Sequence, residues 1–290
     1  MSTKKTIIVI TGPTASGKSE LAVKLAKKIN GEIISADSRQ IYKGLDIGTA
    51  KITKKEIQGV KHHCLDIASP KKRLTIIDWK NCAEKAVDTI YRIGKVPIVV
   101  GGTMFYIKAL IDGWALPQVL PNPLLRKKLE KKTARELFTI LQRQDSHRAK
   151  TIERKNKRRL IRALEIVETL GKVPKLKAKP KYEVLWLGIK KNPEELKKRI
   201  QKRLRKMLKR GLIQEIKKLR ASSLSWKRIY EFGFEYKYPA FYLQKKISKE
   251  EMINKINKET LDYTRRQMLW WKKDKKIRWL SKPNSLSIYR

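Results

Sequence analysis

Cysteine is almost absent: Cys64 and Cys82 are the only two in 290 residues. They have no C-x-x-C spacing, which points to neither a zinc site nor a disulfide framework. Acidic residues are scarce as well, 27 Asp and Glu against 71 Lys and Arg, for a net charge of +44. No run of 18 apolar residues occurs, and no apolar segment marks a signal peptide at the N-terminus. The sequence is therefore read as that of a reduced, cytoplasmic protein that does not use a membrane. Membrane-surface binding is the weaker reading of the charge, because no long helix sets a broad apolar face against a basic one.

What is present suits a large single domain or a domain carrying an insertion. Hydrophobic residues make up 41%, slightly low but ample for a core. The charge is uneven: residues 1–120 hold 20 basic and 10 acidic residues, and the rest hold 51 and 17, a net of +34. Lysines on every solvated face explain part of this excess. Blocks of like charge beside aromatics explain more as the footprint of a polyanion, with nucleic acid as the expected partner.

The chain is organised around Gly12-Pro13-Thr14-Ala15-Ser16-Gly17-Lys18-Ser19. It follows the apolar run Thr6-Ile7-Ile8-Val9-Ile10-Thr11 and precedes a helical pattern, so it fits G-x-x-x-x-G-K-[ST] with both required flanks. This is a P-loop. Its glycines let successive N–H groups point inward at a helix N-terminus that already favours an anion. Lys18 adds a mobile positive charge for a terminal phosphate, and the Ser19 hydroxyl can ligate Mg²⁺.

Further along, Gly31 is a plausible helix C-cap, and Glu32-Ile33-Ile34-Ser35 reads as a short buried strand delivering Ala36-Asp37-Ser38-Arg39-Gln40 at its C-terminal end. Asp37 beside a phosphate crevice can act as a general base or reach Mg²⁺ through water, and Ser38 and Gln40 suit a nucleobase edge. The duller alternative for Asp37 is a cap on the following turn. His62 and His63 have no third ligand nearby and are read as structural. An amphipathic helix is expected over residues 77–93, ending at Gly94. Pro97-Ile98-Val99-Val100 then leads into Gly101-Gly102-Thr103 and another helix, repeating the strand–glycine–hydroxyl–helix layout and suggesting a second set of N–H donors. To this point the pattern is βαβα, hence a doubly wound parallel sheet.

The proline-rich stretch at residues 116–123 looks like a boundary. Residues 124–170 are helical, basic and without strand signals, with an apolar face of Leu160, Ile161, Leu164 and Val167. Residues 172–181 read as an exposed connector, and residues 183–189 return to a strand. A long helix follows from Pro193, and the C-terminal third ends in a helix over residues 249–273. The expected fold is thus α/β, a P-loop doubly wound parallel sheet with a basic all-helical insertion and a helical C-terminal region. The parts are residues 1–115, 116–182 and 183–290.

Several stretches together resemble the tRNA dimethylallyltransferases, also called tRNA isopentenyltransferases. They are residues 12–19, the block from Asp37 to Lys51, His62-His63-Cys64-Leu65-Asp66, and Gly101-Gly102-Thr103-Met104-Phe105-Tyr106. Residues 158–165 and Arg265-Arg266-Gln267-Met268-Leu269-Trp270 look like later motifs of the family, and the likeness runs from about residue 7 to 280. Near residues 228–236 it is looser, with Phe234 where tyrosine is usual.

The resemblance implies transfer of the dimethylallyl group from dimethylallyl diphosphate to N6 of the tRNA adenosine just 3′ of the anticodon. The P-loop would then cradle the leaving diphosphate with Mg²⁺ rather than ATP. Asp37 would take the N6 proton, Thr103 would sit between diphosphate and adenine, and Arg203 would touch the diphosphate. Ser38, Arg39, Gln40, Arg126, Arg158, Arg159, Leu160, Ile161 and Arg162 would contact tRNA. The adenine would flip out of its stack into a channel, while the insertion and the C-terminal third grip the anticodon stem-loop. A monomer is expected. The rival reading is a P-loop small-molecule or nucleoside kinase with a basic lid. An RNA-binding NTPase switch is less favoured, because residues 96–100 end in glycines where a Walker-B Asp would be needed.

Overall fold

The run Ile7-Ile8-Val9-Ile10 is apolar on both sides of the pleat, and such a strand must be buried on both faces. The computed structural model, which describes residues 5–175 and 177–280, does this. Ile7 and Val9 join one core cluster while Ile8 and Ile10 join another. The strands are β1 (Lys5–Thr11), β2 (Gly31–Ser35), β3 (His62–His63), β4 (Val96–Val100), β5 (Tyr182–Ile189) and β6 (Arg278–Leu280). They form one sheet in the order β3-β2-β4-β1-β5-β6, and every pair is parallel. The carboxyl ends of β2, β4, β1 and β5 therefore share one edge.

Helices α1 (Lys18–Lys28), α2 (Lys54–Ile57), α3 (Ile76–Arg92) and α4 (Met104–Ile111) intervene in the first half. α1 covers one face of the sheet through Leu21, Ala22 and Leu25. On the other face lie α3 and α4, where Trp79 is fully buried, donates its indole N–H to Ser35 O at 2.9 Å and stacks on Tyr106. Burying one such large side chain contributes about 1.5–3 kcal/mol. α1 ends at Ile29 with Asn30 in the left-handed region, so Gly31 is the first residue of β2 rather than the cap expected for it.

The described chain falls into two compact units, residues up to 113 with those from 180 onward, and residues 114–179. The smaller one holds α5 (Pro123–Leu129), α6 (Ala134–Gln144), α7 (Ser146–Thr151) and α8 (Lys157–Leu170). Its core joins Leu137 and Leu141 to Leu160, Ile161, Leu164 and Val167. α9 (Pro193–Lys209), α10 (Leu212–Ala221), α11 (Trp226–Tyr230), α12 (Phe234–Leu243) and α13 (Lys249–Trp271) complete the larger unit. Ser248 caps α13 in a reciprocal box with Glu251.

The two cysteines, unrelated by spacing, meet in the fold: Cys64 Sγ and Cys82 Sγ lie 2.7 Å apart as free thiols. His63 pairs with Glu32 at 2.7 Å and His62 with Val60 O at 2.8 Å. No helix among the described residues is long and apolar enough to cross a membrane.

Candidate active site

Residues 12–19 leave the end of β1 and wrap into α1. Gly12 has φ +140, and a Cβ there would lie 2.6 Å from the Ile189 carbonyl at the end of β5, so only glycine fits. Gly17 occupies the N-cap of α1 in the left-handed region and supplies no side-chain cap. The N-caps of α3, α6 and α13 do supply one. The first amides of α1 thus carry no side-chain cap, and the loop before them lines the pocket described below. Lys18 curls back, donating from Nζ to the Gly12 and Pro13 carbonyls at 2.9 and 2.7 Å. Burial, then the nearby Arg203 guanidinium, push its ammonium down to about 7, with Asp37 pulling the other way. Ser16 Oγ is buried and has no hydrogen-bond partner among the described residues.

This loop forms one wall of a pocket of about 860 Å³. Asp37 and Gln40 from the end of β2, Gly101 and Gly102 from the end of β4, and Arg203 on α9 complete it, so the fold brings Lys18, Ser19, Asp37 and Arg203 around one pocket. Asp37 caps the following turn and also faces the pocket. Its Oδ1 accepts the Arg39 and Gln40 amides at 2.8 and 3.2 Å, which holds the turn, and the carboxylate still lines the pocket. Thr103 stands beside this turn, its hydroxyl accepting the Ser38 amide at 3.2 Å. The Gly101 and Thr103 amides donate to Ile10 O and Ala36 O, so at these two positions the second glycine turn serves the sheet and offers no anion donors.

Four further side chains, none of them given a role from the sequence, stand in or beside the site. Glu235, at the start of α12, is held protonated to higher pH than usual. Burial pushes its carboxyl up to about 7, Arg203 opposes the shift, and Asp37 adds to it. Tyr263 on α13 lines the pocket and is pushed up to about 12 by burial and Asp37. Gln267 lies one turn further along α13 and also faces the pocket. Glu215 on α10 sits behind the site and accepts the amides of Asp46, Ile47 and Gly48 at 3.0, 2.6 and 3.0 Å. Gln267 lies within the motif at residues 265–270, yet the partners of Glu215 and Gln267 are more than 160 residues away in the chain and are brought to them only by the fold.

Two motifs of the sequence become one object through Lys51, whose buried Nζ donates to Asp46 at 2.7 Å, Asp66 at 2.6 Å and Tyr42 O at 2.9 Å. The same connection carries Thr49, whose carbonyl accepts from Arg203 Nη2 at 3.3 Å. The loop after β2 is thereby tied to the helix that supplies the arginine.

In the smaller unit the expected contacts divide. Arg158 and Arg159 are exposed at the start of α8. Leu160 and Ile161 are buried in that unit's core at 0% and 7% exposure, so their side chains pack helices and are not on the surface. Arg126 and Arg162 are held by Glu165, which is 1% exposed and also accepts the Asn122 amide at 2.6 Å. Burial pushes the Glu165 carboxyl up, yet bonds from Arg126, Asn122 and Arg162 more than offset this and hold it below its ordinary value. These two arginines are largely spent within the unit.

No group of three or more His, Cys, Asp or Glu among the described residues could hold a metal alone. The donor set nonetheless fits Mg²⁺ bound through a substrate, since that ion takes one or two protein oxygens and completes its shell with phosphate and water. The Ser19 hydroxyl, and Asp37 through water, are the oxygens available.

A family model described as IPP transferase matches residues 40–274. A protein from Thermomicrobium roseum named tRNA dimethylallyltransferase is 37% identical, over 96% of this chain and 87% of its own. One of the same name from Carboxydothermus hydrogenoformans is 38% identical, over 94% and 91%. Among solved structures, the tRNA isopentenylpyrophosphate transferase of Bacillus halodurans superposes with a TM-score of 0.72 at 34% identity, over 96% of this chain and 90% of that one. A eukaryotic dimethylallyltransferase described as acting on tRNA superposes at 0.83 with 29% identity, over 98% and 75%.

Proposed function

The chain belongs to the IPP transferase family of tRNA dimethylallyltransferases, and from that premise we propose that it transfers a dimethylallyl group from dimethylallyl diphosphate to N6 of the adenosine 3′-adjacent to the anticodon in tRNA. The observation that carries this reading is the convergence of Lys18, Asp37 and Arg203 on one pocket. It sets anion donors opposite a carboxylate, which is what prenyl transfer to an amine requires.

In this reading residues 12–19 are a P-loop for the leaving group. The uncapped amides of α1, Lys18 and Arg203 hold the diphosphate and take up the charge it gains as it departs. N6 of adenine attacks C1 of the dimethylallyl group, the C1–O bond breaks with its electron pair going to pyrophosphate, and the N6 proton passes to Asp37. The turn bonds from Arg39 and Gln40 engage Oδ1, which leaves Oδ2 to meet the amine. Thr103 keeps Ser38 and the Asp37 turn in register with the end of β4. When bound, Mg²⁺ supplies charge neutralisation at the leaving pyrophosphate, held by Ser19 and the substrate oxygens.

The basic excess of the later residues supports an RNA grip, with residues 116–182 read as a helical insertion for the anticodon stem-loop. Arg158 and Arg159 are its best-placed phosphate contacts. We read the protein as a cytoplasmic monomer working on free tRNA. The test is to supply dimethylallyl diphosphate, Mg²⁺ and an anticodon stem-loop and look for N6-isopentenyladenosine by mass analysis, with ATP in parallel. Prenylated product without ATP turnover is expected; ATP turnover without prenylation would overturn the reading.

A further inference from the structure

Gln267 lies near the C-terminal end of the long helix α13, and its side chain engages both glycine turns of the sheet. Its Oε1 accepts the Thr14 amide at 2.9 Å, and its Nε2 donates to Gly102 O at 3.1 Å. It is 1% exposed. A Cβ on Gly102 would lie 2.3 Å from Nε2, so the missing side chain at 102 is what admits the amide. Tyr263, one turn earlier on α13, lines the same pocket.

A side-chain amide with one donor and one acceptor face used at once cannot be rotated without losing both bonds. It removes the Thr14 amide from the anion donors and fixes where residues 14–17 turn towards α1. We propose that Gln267 is a positioning residue for the phosphate-binding loop, shaping it for the diphosphate from a helix otherwise read as part of the RNA-facing third. The inference rests on the diphosphate reading of this loop, but not on which prenyl acceptor is used. It predicts that α13 determines affinity for the small substrate.

The experiment measures binding of inorganic pyrophosphate with Mg²⁺ by calorimetry, binding of an anticodon stem-loop, and steady-state prenyl transfer, in full-length variants checked by thermal melting. Gln267→Ala should weaken pyrophosphate binding and raise KM for the prenyl diphosphate about tenfold, the worth of one to two hydrogen bonds, with stem-loop affinity within about twofold. Gly102→Ala should reproduce the loss by pushing the amide out, and adding it to Gln267→Ala should cost little more. Gln267→Glu should bind pyrophosphate worse than Gln267→Ala at pH 8, then recover relative to wild type as pH falls, because a protonated carboxyl can again donate to Gly102 O and accept from Thr14. Merely structural damage would not recover with acid. Unchanged pyrophosphate affinity in a folded Gln267→Ala, or equal losses for pyrophosphate and stem-loop, would overturn the proposal. If the wild type binds pyrophosphate but never prenylates, the function fails and this inference still stands or falls on the pyrophosphate arm.

Discussion

Tyr236 donates its buried phenol to Glu215 Oε1 at 2.8 Å, and the same carboxylate collects three consecutive backbone amides from residues 46–48. One side chain from α10 thus ends the polar loop that follows Asp37, and a phenol from α12 steadies it. Glu215→Ala strands those amides in a largely buried site, which should cost on the order of 3–5 kcal/mol. Tyr236→Phe removes one charge-assisted bond and should cost about 1–2 kcal/mol. Urea unfolding reads both. A loss under 1 kcal/mol for Glu215→Ala would mean that water replaces the carboxylate.

Asp37 offers a cleaner test as Asn than as Ala. Asn keeps an oxygen for the Arg39 and Gln40 amides, so the turn survives while the base is lost. The rate of the chemical step in single-turnover experiments should fall about 10²–10⁴-fold, with tRNA affinity nearly unchanged. Equal effects on both would assign Asp37 to positioning alone.

The phosphate loop was legible because its chemistry is carried by the backbone, which demands glycines at 12 and 17 and strand and helix flanks that show in a short window. The sheet was legible for a similar reason, since a run such as residues 7–10 has no polar face and can only be a fully buried strand. What stayed hidden was whatever depends on distant partners. Glu215 looks like an ordinary polar residue of a basic helix, and the motif likeness at residues 265–270 gives Gln267 no role, until the fold carries them to the loop at 46–48 and to Thr14. Arg126 and Arg162 look like two more RNA contacts until Glu165, itself an ordinary helical glutamate in sequence, claims both. The motif likeness assigned Leu160 and Ile161 to RNA, while their helical spacing with Leu164 and Val167 had already placed them in a core.

Lys18 gives a proton-linked signature. Its ammonium is depressed from 10.5 to about 7 in the folded protein, so at pH 8 it is mostly neutral. In the unfolded chain it is protonated there, so this residue costs stability below pH 7. That cost fades as pH rises from 7 towards 10.5, where the unfolded state binds more protons. A diphosphate beside it favours the charged form and draws a proton from solution. Pyrophosphate binding at pH 8, measured by calorimetry in buffers of different ionisation enthalpy, should take up as much as about one proton more in wild type than in Lys18→Arg, whose side chain stays charged throughout. Identical uptake in the two proteins would show that Lys18 is already protonated before the ligand arrives.

Salt dependence separates the arginines of the smaller unit. Arg158 and Arg159 are exposed on the first turn of α8, where Glu153 pairs with Arg159 at 3.2 Å. An exposed pair of this kind is weak, so both side chains are free to exchange it for RNA phosphate. Replacing both with Ala should lower stem-loop affinity and reduce the slope of log K against log salt by about one per lost phosphate contact. Arg126 behaves differently because its guanidinium is bound twice by the buried Glu165, at 2.8 and 2.7 Å. Removing it leaves that carboxylate with Arg162 and one amide, so Arg126→Ala should lower the unfolding free energy by about 2–4 kcal/mol and leave the salt slope unchanged. A reduced slope in Arg126→Ala would mean that the arginine lets go of Glu165 when RNA binds.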